Sequence, residues 1–176
     1  MNLRRLPDDW GAEEEALLQA IDDATATPIY IEYRLAAEWF DGLADVIDEL
    51  EQCARTRPDV ALSLIEHMVI RLDGAGVDDS DGGLVEAFDR LEPMHAGAAS
   101  AAEEDPAALA ERLVELAHAL DVEPFGSATT THRAVLGDEG LRAIVAAAEA
   151  RRSGDPGDAV LEHLIADARA ALEGRS

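Results

Sequence analysis

Two proline-led segments 48 residues apart carry the same apolar spacing, and that recurrence limits what this chain can fold into. Pro58 to Asp73 and Pro106 to Asp121 align so that Ile65, Met68, Val69, Leu72 and Asp73 fall on Leu113, Leu116, Ala117, Leu120 and Asp121. A third segment opens at Pro156, 50 residues further on, and its Val160, Leu161, Leu164 and Ile165 match more loosely. A unit of this length holds two or three helices, and none of them can bury its apolar stripe without a stacked neighbour. The expected fold is all-α. Antiparallel helical hairpins stack as a short α-solenoid of the HEAT or tetratricopeptide kind, with about seven helices. One domain is expected over residues 1–176, with residues 1–10 as a flexible N-terminus.

Local signals place the helices. Glu13, Glu14 and Glu15 suit the first turn of a helix over Ala12–Ala24, because the positive end of the helix dipole favours acid there. Pro28 forces Thr27 out of helical geometry, so Thr27–Ile31 reads as extended. A long helix from Glu32 to Arg55 follows, with Leu35, Trp39, Leu43, Val46, Ile47 and Leu50 on one stripe and Asp41, Asp45, Asp48 and Glu49 mostly off it. Pro58 suits a first helical turn, and Gly74 and Gly76 end that helix. Further helices are expected over Leu84–Ala99, Pro106–Asp121, His132–Leu136, Asp138–Arg152 and Pro156–Leu172.

Charge narrows the range of partners. The 176 residues carry 38 acidic and 14 basic side chains, a formal net charge of −24, and every basic residue is arginine. A GC-rich coding bias and a salt-adapted host both produce such a composition. A surface of this sign repels nucleic-acid phosphates, so direct DNA or RNA binding is not expected. A basic segment of a partner protein is the natural ligand class, and mimicry of nucleic acid is an alternative use of the same charge. No uninterrupted apolar run is long enough to span a membrane, and Met1–Trp10 lacks the apolar stretch of a secretory signal. A cytoplasmic protein without a membrane association or cofactor is the expectation.

Four groups of residues could carry chemistry. The segment around Tyr30, Tyr33, Trp39 and Phe40 gathers both tyrosines, one of the two tryptophans and one of the three phenylalanines, and could anchor a partner segment. The same residues could instead staple a loop onto the helix that follows. Asp78, Asp79 and Asp81 are weak candidates for a hard cation, and with a nearby histidine they would centre a metal-dependent enzyme, the alternative to an interaction role. Calcium-loop spacing does not fit them. Gly82 in sixth place puts Val77 first and Phe88 twelfth, and Gly83 in sixth place leaves Gly82 without a side chain at the fifth. Ser80 or Asp81 capping the next helix is the plainer account. His67, His95, His118, His132 and His163 lack the two-histidine spacing of a zinc-protease helix and read as helix-face residues. Cys53, the single cysteine, reads as a small buried hydrophobe. No nucleophile–base pair or glycine-rich phosphate loop stands out, so catalysis is not expected.

Several runs occur in an order that resembles a known group. They are Tyr33-Arg34-Leu35-Ala36-Ala37, Val46-Ile47-Asp48-Glu49-Leu50, Ala61-Leu62-Ser63-Leu64-Ile65-Glu66-His67 and the loop Asp78-Asp79-Ser80-Asp81-Gly82. Pro106-Ala107-Ala108-Leu109-Ala110-Glu111-Arg112-Leu113 and Val135-Leu136-Gly137-Asp138-Glu139-Gly140-Leu141 continue the likeness. Residues 15–145 thus resemble the helical region that follows the zinc finger in bacterial SWIM zinc-finger proteins. The finger itself needs a Cys-x-Cys pair and a later Cys-x-His, which a chain with one cysteine does not have. The resemblance implies a helical accessory or interaction region, without the zinc or DNA-binding role of the finger. The functional expectation is an acidic helical-repeat module or scaffold for protein–protein interaction.

Overall fold

In chain order, the described residues form α1 (Ala12–Ala24), α2 (Tyr33–Thr56), α3 (Pro58–Asp73), α4 (Gly83–Ala101), α5 (Pro106–Leu120), α6 (Ala128–Arg152) and α7 (Ala159–Glu173). This computed structural model describes residues 10–26, 33–73, 83–102, 105–120 and 128–174. Among them the fold is all-α, as the periodicity requires. Thr27–Ile31, Asp78–Asp81 and residues 1–9 lie outside the described residues.

The chain divides into two compact units, residues 1–98 and 99–176. In the first, α1, α2 and α3 pack on one another; in the second, α5, α6 and α7 do the same. Helices that pack on their chain neighbours are the arrangement of stacked helical hairpins. The α2–α3 corner is tight, with only Arg57 between the helices. The Arg57 N–H donates to the Cys53 carbonyl at 2.6 Å, and the Arg57 carbonyl accepts from Ala61 at 2.9 Å. Pro58 follows as the first residue of α3, where its missing N–H costs nothing.

Each unit builds its core from helical stripes. Leu17 and Ile21 of α1 are buried with Leu43, Ile47 and Leu50 of α2 and Leu64, Ile65, Met68 and Leu72 of α3. Trp39 and Val46 are also buried, so the stripe from Trp39 to Leu50 is the core face of α2, and the side chain of Leu35 lies outside the described set. In the second unit Leu113, Leu116 and Leu120 of α5 are buried, as are Leu141 and Ile144 of α6 and Leu161 and Ile165 of α7. Buried alanines on all three helices, Ala110, Ala148 and Ala168 among them, leave room for close approach. Full burial of one such leucine or isoleucine contributes about 1.5–3 kcal/mol.

The repeat is more regular in the structure than in the prolines. Ile65, Met68, Val69 and Leu72 on α3, then Leu113, Leu116, Ala117 and Leu120 on α5, then Leu161, Leu164, Ile165 and Ala168 on α7 are all buried. The 48-residue step therefore holds twice. The 50-residue offset read from Pro156 is corrected, because Pro156 lies in the turn before α7 and does not open it. Asp158 opens the helix instead: its Oδ1 accepts from the N–H groups of Val160 at 3.0 Å and Leu161 at 3.2 Å. A side-chain cap satisfies donors that a first-turn proline leaves open.

One further boundary differs from expectation. Thr129–Thr131, read as connection, belong to α6, since β-branched residues oppose a helix only weakly. The division expected between His132–Leu136 and Asp138–Arg152 is present: α6 is interrupted at Gly137, whose φ of 60° and ψ of −161° are not helical, so two helices meet there.

Candidate functional site

Helix α2 presents the most distinctive surface of the first unit. Glu38, Asp41, Asp45, Asp48 and Glu49 are all exposed, opposite the buried stripe. Glu38, Asp41, Asp45 and Asp48 follow three- and four-residue steps and so run along one face for about 15 Å. Of these, Asp48 is tied to a cation, the Arg90 guanidinium of α4 at 2.5 Å.

Of the four predicted aromatic anchors, the structure brings Trp39 and Phe40 together. Their ring centroids are 5.1 Å apart and their planes meet at 67°, an edge-to-face contact. Trp39 belongs to the core, whereas Phe40 is half-buried and lies between the exposed Glu38 and Asp41 in sequence. Tyr33 falls in the first turn of α2, and its side chain lies outside the described set, as does all of Tyr30.

A second feature was not anticipated. An open groove of about 550 Å³ lies between α2 and α4. Its α2 wall is Glu51, Ala54 and Arg55; Asp89, Arg90, Pro93, Met94, Gly97 and Ala98 form the α4 wall. Arg55 pairs with Glu51 at 2.5 Å, and Arg90 reaches both Asp48 and, at 3.8 Å, Glu51. Pro93 is the sequence signal that could have exposed this face, because a proline inside a helical run marks a local break in the hydrogen-bond ladder.

Three of the described histidines, His67, His95 and His118, reach carboxylates outside their own helix. His67 Nε2 lies 2.9 Å from Asp22 Oδ1, joining α3 to α1, and Arg71 shares that carboxylate at 3.4 Å. The fully buried His95 of α4 contacts Glu66 of α3 at 3.3 Å. In the second unit His118 Nε2 lies 2.5 Å from Asp158 Oδ2, and His163 lies 3.3 Å from Asp167 within α7. His132 is helical in backbone, and its side chain lies outside the described set. Among the described residues no group of three or more histidine, cysteine, aspartate or glutamate side chains could hold a metal ion. The candidate cation ligands Asp78, Asp79 and Asp81 lie outside the described residues.

Asp158 divides its two oxygens between the α7 cap and His118. Burial alone would raise its pKa. The N–H of Leu161, the His118 ring and the N–H of Val160 outweigh burial and hold the carboxyl below its usual value. A depressed carboxyl pKa contributes stability that is present above the unfolded value of about 3.9 and is lost as pH falls through the lower folded value. Acid titration should therefore destabilise the wild type below about pH 4 through this group. Asp158→Asn, which keeps the cap, should show a smaller loss over the same range in urea melts, and Asp158→Ala should cost about 1 kcal/mol at neutral pH. Equal acid sensitivity in the wild type and the Asn variant would remove Asp158 from this account.

Cys53 is half-buried, and its Sγ lies 4.0 Å from the Arg57 carbonyl. Burial raises the thiol pKa, and Glu14 and Asp59 push it the same way against the opposing charge of Arg57. The thiol is thus held protonated at neutral pH, which suits a packing role and not a nucleophile.

No described helix is long and apolar enough to cross a membrane. No family model matches the chain, and no curated protein and no solved structure is similar to it.

Proposed function

We propose that this protein is an interaction module that offers the acidic face of α2 to a basic segment of a partner protein. The observation that carries the reading is the run of exposed carboxylates from Glu38 to Glu49, with the half-buried Phe40 at its start. Carboxylates spaced along a rigid helix attract arginine and lysine side chains, and an adjacent aromatic ring gives the partner an apolar anchor. The net charge of −24 adds long-range steering for a cationic partner and opposes association with a second copy.

Fluorescence anisotropy with a labelled arginine-rich peptide tests the proposal. Binding should be strong at low ionic strength and fall steeply with added salt, because exposed charges are screened over about 8–10 Å at 0.1–0.15 M. Asp41→Asn with Asp45→Asn should weaken it several-fold, and Phe40→Ala should weaken it without changing the salt dependence. A chain that retains no arginine-rich peptide even at low ionic strength would sink the reading.

A further inference from the structure

We infer that the groove between α2 and α4 is the docking site for an amphipathic partner segment that lays an apolar side chain beside Met94 and sets a lysine or arginine against Asp89. This deepens the interaction reading and rests on it. The groove charges are not equivalent. Arg55 and Arg90 are already engaged by Glu51 and Asp48. Asp89, exposed on the α4 wall, meets no cation among the described residues. Three carboxylates thus face two guanidiniums around the groove, and the one acid left over is the point at which a cation from outside is complementary.

Backbone chemistry points to the same place. Pro93 has no N–H, so the Asp89 carbonyl one turn earlier loses its helical donor. Proline and aspartate both line the groove, which puts a carboxylate and an underused carbonyl on one stretch of wall. An ammonium or guanidinium carries several N–H donors and can serve both acceptors. Beside them Met94, Ala54 and Ala98 supply apolar surface, and methionine adapts to side chains of different shape. Gly97 leaves open space, with no heavy atom of the described residues beyond its own helix backbone and chain neighbours within 4 Å of where a Cβ would stand. Asp48 belongs both to the acidic face of α2 and to the Arg90 ion pair at the groove, so a segment seated there can extend basic residues along α2.

The test uses the full chain and a labelled amphipathic peptide of leucine, alanine and lysine, with a twin in which glutamate replaces lysine. Asp89→Asn should weaken the lysine peptide about tenfold, the loss of one charge-assisted contact. Gly97→Leu should weaken it at least as much by filling the groove, and leucine favours a helix more than glycine does. Met94→Gln is a third variant that leaves charge unchanged, and circular dichroism should match the wild type in all three. Binding retained in these variants but lost on Asp41→Asn with Asp45→Asn would overturn the groove and leave the interaction reading standing. Equal binding of the glutamate twin would overturn the groove proposal on charge. No binding of the lysine peptide to the wild type would overturn both.

Discussion

Replacing Leu113 with alanine is expected to lower the unfolding free energy by about 2–5 kcal/mol. Leu113 is fully buried on α5, which packs against both α6 and α7. Removing its side chain loses transfer free energy and leaves a cavity that close-packed neighbours refill only in part. A domain of ordinary stability has about 5–15 kcal/mol in all, so the variant should melt at visibly lower urea with a similar slope. Leu113→Met keeps the volume and should cost less than about 1.5 kcal/mol. The counterparts one repeat away, Ile65 and Leu161, are buried as well and should respond to alanine in the same range. A Leu113→Ala variant as stable as the wild type would mean that the 48-residue register does not describe the core.

The second large effect is at Gly137, where alanine should cost about 1–3 kcal/mol. The φ of 60° with ψ of −161° lies in a region essentially reserved for glycine. Beyond its own helix backbone and chain neighbours, nothing among the described residues stands within 4 Å of the position a Cβ would take, so the cost is one of backbone conformation. Gly97 supplies the matched comparison. It too has open space, but it sits inside α4 without a positive φ, so alanine there should stabilise by about 0.5–1 kcal/mol. Thermal melts of the two variants should move in opposite directions. If Gly137→Ala melts no lower than the wild type, the interruption of α6 is not locked by glycine.

Helix positions were legible because their signals are local. Ala12–Ala24 and Pro58–Asp73 were read with the bounds the structure gives them, since first-turn acids, a leading proline and a continuous apolar stripe act within a few residues. The start of α7 was misread for the same reason. A proline is conspicuous, whereas the cap at Asp158 depends on an oxygen reaching two backbone N–H groups, and nothing marked that aspartate among its acidic neighbours. The candidate site was less legible still. Phe40 and the acids of α2 share one helix and could be placed from spacing alone. The groove joins Glu51 to Asp89 and Met94, about 40 residues apart in sequence, and no period predicts which faces two helices will turn towards each other.

The chain by itself therefore determined the all-α class, most helix limits, the 48-residue recurrence and the acidic face of α2, all of which follow from side-chain chemistry repeated at the helical period. Tertiary structure decided the rest. It buried the stripe of α7, set His67 on Asp22 and His118 on Asp158, paired the arginines of the groove and left Asp89 without a counterion among the described residues. These depend on which residues meet after the helices pack, and packing is settled by the combined shape and charge of surfaces that lie far apart along the chain.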